Sequence, residues 1–486
     1  MSWEPQERGK RDPWAVGVAN ASLVGAGYLM LGRRGWAVLS WAVTVALLIV
    51  LGTAQRTVRC EWAFAVWWAV MVVHGWHLAG GRWKWPSGAN WREPYGRFAA
   101  GWRLDRVRTQ RWVALGVAVP VLAAVVLLRV DAAHAEGTVA AARRSGDCTK
   151  AVHAQHSVWF GPRLADSPGT RRGERTAAAC RRLAVAAADL RDGLGGDTEA
   201  LAAGFDAMSA VLADGPGNEA IVSTVLDGFL DGIPTANPCR TAAVTDWLRA
   251  RKADGSTLDR ASAVVPRTAP AALLGCANNL MAGKSWTKAK ARYQQVLDQY
   301  PHDAKAAAAK SGAHKAELAI ELGNVTRLLD TYGDTQPTYC TAPARYSGAP
   351  ARHKGVNKAL FFGNSAYTDK LPAGWSATDA SDATLVVCAS DDKDGPSVQT
   401  CPYKGGLYTT FPEEVTFHRI AIPVKVYELR TGRLVSHRTL EIDGKSCPST
   451  LEYTTWENID TGPSSDQYVI PTTSDIRAAF HPLVTR

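Results

Sequence analysis

Past residue 130 this 486-residue chain has no apolar run comparable to those before it, so any membrane-crossing segment lies near its start. Catalytic signatures are missing too. There is no Gly-x-Ser-x-Gly nucleophile elbow, no His-Glu-x-x-His zinc helix and no phosphate-cradling P-loop. Gly25, Gly27 and Gly32 follow no strand, which excludes a dinucleotide-binding turn. No two cysteines have the Cys-x-x-Cys spacing of a zinc site. Cysteine is almost absent from the first 130 residues, where only Cys60 occurs. These absences leave no catalytic set, no cofactor and no metal ligands to expect.

What is present is concentrated at the start. Four apolar segments occupy 14–32, 36–52, 62–80 and 112–130. About 20 mostly apolar residues cross a bilayer core, so 1–131 reads as a membrane head with three or four transmembrane helices. The segment 14–32 is diluted by Asn20, Ser22 and several glycines, and either spans or dips in and returns. Thirteen of the eighteen tryptophans fall between Trp3 and Trp112. Several mark segment ends, where indole prefers the headgroup level. His74 and His77 share a helix face in the third segment. Ionisable groups in a membrane can hold metal or haem or relay protons. Their place beside Trp76 and just before Arg82 makes interfacial solvation the simpler account.

The net charge of +10 does not signal nucleic acid. Residues 1–130 carry sixteen Lys/Arg and six Asp/Glu, whereas 131–486 carry thirty-nine of each. Eight of the cations lie in the 81–111 loop, which the positive-inside rule places in the cytoplasm. There they pair with anionic lipid headgroups, at about 1 kcal/mol per residue. The loop's interleaved aromatics suit an interfacial segment. Residues 131–486 are then expected outside the cytoplasm. Within the head, Gly25-Ala-Gly-Tyr-Leu-Met-Leu-Gly32-Arg-Arg-Gly35 resembles the glycine-rich helix and basic turn of TM2-type membrane domains over about 40 residues. That resemblance implies a tight hairpin and no activity.

The expected exterior holds Cys148, Cys180, Cys239, Cys276, Cys340, Cys388, Cys401 and Cys447. An even set in an exported segment reads as disulfides, of which eight cysteines allow about 105 pairings. Cys388 and Cys401 flank a polar turn between two extended stretches and are expected to pair across a hairpin. Cys148 with Cys180, and Cys239 with Cys276, would join neighbouring helices.

Residues 132–334 read as an extracytoplasmic helical region, rich in alanine and broken by Gly/Pro turns. Between Pro270 and His302, Ala289, Tyr293, Val296, Leu297 and Pro301 have the offsets of the second half of a tetratricopeptide repeat, which this unit resembles. The first half lacks that family's Trp and Tyr. A fainter echo runs through Gly204, Met208, Val211, Leu212 and Pro216. A plain helical bundle is the competing reading.

From 335 to 486 the pattern is β-rich. Strands are predicted at 357–362, 383–390, 419–429 and 433–442, with Thr431-Gly432 closing a hairpin between the last two. Pro423 marks its strand as an edge or a bulge. Cys401-Pro-Tyr403-Lys-Gly405-Gly406, Arg430-Thr431-Gly432 and Cys447-Pro448 resemble an uncharacterised exported bacterial β-domain, which implies no activity.

The expected architecture is therefore a multidomain membrane protein: a transmembrane helical head, a tetratricopeptide-like helical middle and a small, disulfide-containing, mainly β C-terminal domain. The Ala-, Arg-, Gly- and Trp-rich composition points to a high-GC bacterium. The expected function is that of a membrane-anchored extracytoplasmic interaction or scaffold protein of the cell envelope, with an envelope protein as partner and no nucleic acid. The alternative is an envelope enzyme with its site in the β-domain, using His418, His437, Asp443 and Tyr403.

Overall fold

The computed structural model describes residues 11–53, 58–81, 101–159, 161, 167–332, 335–404, 411–454, 460 and 462–485. The fold is mostly helical, about 60%, with a C-terminal mixed sheet. It forms two compact units, Met1–Ala269 and Pro270–Arg486.

In the first unit, 14–32 is not one helix. It breaks into α1 (Pro13–Asn20) and α2 (Ala26–Met30). Leu23 and Gly25 take positive φ between them, with φ 64° and 70°. At roughly 1.5 Å per residue neither piece approaches the thickness of a bilayer. The other segments are longer than their apolar cores: α3 is Arg34–Thr53, α4 is Val58–Leu78 and α5 is Gly101–Ser145. By length and composition, Arg108–Ser145 can cross a membrane, while the apolar part of α3, Arg34–Val50, is shorter. The central part of the basic loop, 82–100, lies outside the described residues.

Helix α1 packs between α4 and α5. Asp12 caps α1 by accepting from the Trp14 N–H, and its carboxylate pairs with Arg111 of α5 at 2.5 Å. Asn20 is fully buried and donates to Met71 O at 3.2 Å. Gly27 and Gly75 leave it room: a Cβ on either would lie within 2.5 Å of an Asn20 side-chain atom. Small residues thus let these short helices meet backbone to backbone, as membrane helices do.

Helix α5 runs on without a break for 45 residues, about 68 Å. Its far end packs against α6 (Cys148–His156), α7 (Ser167–Leu194) and α9 (Glu219–Leu230); α8 (Thr198–Ala213) pairs with α7. Then come α10 (Pro238–Ala250), a 3-10 turn and α11 (Val265–Ala282). Cys148 of α6 is bonded to Cys180 of α7, with Cα atoms 5.4 Å apart. Cys239 of α10 is disulfide-bonded as well.

In the second unit, α12 (Trp286–Gln299) and α13 (Ala306–Leu329) pair as antiparallel neighbours. A six-stranded sheet follows: β1 (Ala359–Phe362), β2 (Leu385–Ala389), β3 (Lys393–Tyr403), β4 (Glu413–Glu428), β5 (Arg433–Ile442) and β6 (Asp466–Tyr468). In it β1 pairs with β2, and β2, β3, β5 and β6 all pair with β4. Strand β2 is buried on both faces. Leu385 and Val387 meet Ile476 and Phe480 of the last helix, α14 (Thr473–Val484). Val386 and Cys388 meet Val325 and Leu329 of α13, so this helix shares a core with the sheet.

Two expectations are corrected here. Cys388 does not pair with Cys401: Cys388 is bonded to Cys340, and Cys401 to Cys447. The physical reason is that β2 and β3 do not form a hairpin with each other but follow one another along the same edge of β4. Cys388 is opposite Lys425 and Cys401 is opposite Val415, ten residues further along β4, which is roughly 34 Å at about 3.4 Å per residue. Nor is the strand holding Pro423 an edge, because β4 is the central strand. The Pro423 carbonyl accepts from the Ser390 N–H at 2.9 Å, where β2 has ended and β3 has not begun. In a strand, N–H and C=O of one residue face the same side. The missing donor therefore points into that gap and breaks no ladder bond.

Candidate functional site

The sequence nominated three places, and the structure sorts them by what each side chain touches. In the head, α4 turns His74 inward and leaves His77 exposed. His74 Nδ1 and the Tyr28 hydroxyl are 2.8 Å apart. The Trp36 ring closes the cluster, 5.0 Å from His74 and 6.4 Å from Tyr28 between centroids. The three rings pack on one another beside a cavity of about 180 Å³. The two histidines do not converge, and among the described residues no group of three His, Cys, Asp or Glu is placed to hold a metal.

In the sheet, the four candidate enzyme residues are dispersed. His418 of β4 has Nδ1 3.0 Å from Gly395 O and Nε2 2.8 Å from Asp466 of β6. His437 is exposed on β5, opposite Lys425, seven residues along β4 from His418. At roughly 3.4 Å per residue that is about 24 Å. Asp443 pairs with Arg419 at 3.2 Å. Tyr403 donates to Pro448 O at 2.7 Å. Nothing brings these groups to one reacting centre.

The hydrogen bond from Asp466, followed by that to Gly395 O, raises the His418 pKa above its ordinary value. Close to it, burial and then Asp392 and Asp394 push the Tyr468 phenol up to about 12. A phenol so shifted is no base at neutral pH.

The short motifs of the β-domain prove to be fasteners. Cys401, Tyr403, Cys447 and Pro448 form one cluster, joined by the disulfide and the tyrosine hydrogen bond. Arg430 donates to Ala349 O at 3.2 Å, and Gly432 (φ 69°) packs on Ala344 and Arg345. Together they dock the 344–350 loop on the β4–β5 hairpin. Gly405 and Gly406 lie outside the described residues.

The residues from Ala289 to Pro301 belong to α12 and the turn after it. Ala289, Tyr293 and Val296 of α12 are buried, Leu297 is half-buried, and Pro301 follows the helix end. Tyr293 donates to Asn278 of α11 at 2.6 Å and its ring lies on Gly312 of α13, where a Cβ would be 2.5 Å from it. One side chain thus binds three helices. In the fainter echo, Met208 and Val211 are buried and Gly204 meets Leu190 of α7.

Two Ser-x-x-Lys spacings also occur, Ser285 to Lys288 and Ser390 to Lys393. Ser285 precedes α12 without a capping hydrogen bond, and Lys288 is exposed. Ser390 follows β2 and is exposed. Neither pair sits in an enclosed site of the kind an activated serine needs.

One charged cluster lies outside every sequence expectation: arginines of α5 and α7 face a groove beside the α8–α9 turn. The helical spacing of Arg172, Arg175 and Arg182 is its only trace in the sequence. No family model, curated protein or solved structure matches the chain.

Proposed function

We propose that this chain is a membrane-anchored, extracytoplasmic interaction protein of a bacterial cell envelope. One observation carries the reading: the head is apolar outside and polar inside, and its last helix continues unbroken into a disulfide-bonded body. Among the described residues, 24 of 33 exposed large hydrophobics lie between Trp14 and Val130. Asn20, Ser22, Ser40 and Thr44 are buried among them. Water would disfavour that distribution, and hydrocarbon favours it. In this reading α3, α4 and the first part of α5 span the membrane, and α1–α2 is a re-entrant hairpin. The N-terminal basic residues and the 81–111 cations then share the cytoplasmic face with anionic lipid. The disulfides support an oxidising location for the rest.

The partner is another envelope protein, engaged through the helical surface of 270–322. Lys288 of α12 is exposed there, whereas Lys290 is tied to Glu317 at 3.3 Å and is the poorer probe. The enzyme alternative gains no support from the dispersed His418, His437, Asp443 and Tyr403. A photo-crosslinking residue at 288, followed by pull-down from cells, tests the reading. The expected result is one dominant protein adduct. Lys288→Glu should weaken native co-purification of that partner without lowering the melting temperature. Recovery of no partner, together with turnover of a wall or lipid substrate by the purified chain, would replace this function with the enzyme.

A further inference from the structure

Helix α7 places Arg172, Arg175 and Arg182 along one wall of a groove of about 490 Å³. They span ten residues, about 15 Å of helix. Ala178 and Ala179 leave the floor open. The opposite wall is the Asp214–Asn218 turn, and Arg143 reaches it from α5.

The charges in this groove do not cancel. Arg182 is neutralised by Asp214 at 2.6 Å, and Arg172 by Glu136 at 2.5 Å. Arg143 spends its donors on the Pro216 and Gly217 carbonyls, at 2.5 and 2.8 Å, which carry no charge to offset its own. Arg175 is exposed and has no hydrogen-bond or ion-pair partner among the described residues. Two positive charges are therefore left over. One of them is built in: Gly217 has φ 92°, and a Cβ there would lie 2.0 Å from the Arg143 guanidinium, so glycine is what seats that arginine. A side chain pinned this way loses little freedom when a ligand arrives.

We propose that this groove binds a ligand bearing at least two phosphate groups, with Arg143 and Arg175 taking their charge. Planar guanidinium forks match phosphate oxygens two at a time. A groove of this size fits a small ligand or a few units of a polymer. Arg143 lies thirteen residues beyond Val130, about 20 Å along α5. That is past the headgroup layer of a membrane crossed by the apolar part of the helix. The source is then a free oligophosphate or a phosphodiester polymer of the envelope, not the anchoring bilayer. The groove lies in the first compact unit, so the proposal stands apart from the partner surface at 270–322.

The test is calorimetric titration of the full chain in nanodiscs of zwitterionic lipid. Tripolyphosphate, a glycerol-phosphate oligomer, citrate and phosphatidylglycerol vesicles are the probes. The expected result is saturable binding of a phosphate probe that weakens as salt rises. Arg175→Glu should weaken it at least tenfold and Arg175→Gln less, with melting temperatures unchanged. Arg171→Glu, on the same helix but outside the groove, should leave it intact. Tighter binding of the oligomer than of tripolyphosphate would assign the polymer, and the reverse order would assign the free oligophosphate. No saturable binding by either, equal loss with Arg171→Glu, citrate as tight as tripolyphosphate, or vesicles tighter than both would each overturn the proposal.

Discussion

Cys388 and Cys401 are near neighbours in sequence, yet each belongs to a different staple. The bonds to Cys340 and Cys447 span 48 and 46 residues. In the chain-entropy picture, losing a cross-link that closes a loop of that length costs about 4 kcal/mol. Replacing Cys401 and Cys447 together by serine should lower the stability of the second unit by about that amount, read from denaturant unfolding. Peptide mapping of the unreduced protein should recover 340 with 388 and 401 with 447. A peptide joining 388 to 401 would refute the register of β2 and β3 on β4. His418 offers a second test at this scale. Its pKa is raised in the fold, chiefly by Asp466. The stabilisation it provides is therefore fully present below the ordinary histidine pKa of about 6.5 and is lost as pH rises through the higher folded value. His418→Asn should lower the melting temperature more at pH 5.5 than at pH 8. An equal loss at both would show that the β4–β6 contact owes nothing to protonation.

Among the elements, the α11–α12–α13 group depends on a single aromatic residue. Tyr293 is buried, meets Gly312 and donates to Asn278. Tyr293→Ala removes the ring and leaves a cavity, so it should cost about 3–5 kcal/mol. Gly312→Leu should also destabilise, because its side chain would occupy the place of the ring. Thermal unfolding of both variants measures this, and a neutral Tyr293→Ala would mean that the three helices pack by other contacts. In the head, the corresponding contact is polar. Gly75→Leu would drive a side chain into Asn20, where a Cβ alone already meets Nδ2 at 2.1 Å. It should separate α1 from α4 and expose the chain to protease in detergent.

At the scale of the whole molecule, the reading predicts which residues a membrane-impermeant maleimide can reach. Cys60→Ser leaves only disulfide-bonded cysteines. In that background a thiol at 252 should label on intact, wall-stripped cells, and one at 87 only after permeabilisation. Labelling at 87 but not at 252 would invert the topology. The same result would remove the reason for disulfides in the body.

Much of this was legible without coordinates, for physical reasons that are local. An apolar run followed by polar sequence marks where a chain meets hydrocarbon. Strand β5 has the bounds its alternation predicts, Arg433–Ile442, and Thr431-Gly432 makes the turn before it. The offsets from Ala289 to Pro301 are properties of one helix, so the buried face of α12 could be read from them. What the sequence could not disclose depends on how distant elements are set against one another. The pairing of β2 and β3 with successive stretches of one edge of β4 separated Cys388 from Cys401, and β5 on the other edge put Pro423 at the centre of the sheet. The turn at Leu23–Gly25 split the first apolar segment, because glycine and polar residues permit a break that only packing makes. The arginines of α5 and α7 share a groove because the α8–α9 turn seats Arg143 on Gly217. Local composition determined where this chain is apolar enough to cross a membrane and where it coils or extends. Tertiary packing alone decided which distant residues became neighbours, since a contact across the fold is selected by the cost of leaving volume or charge unfilled elsewhere.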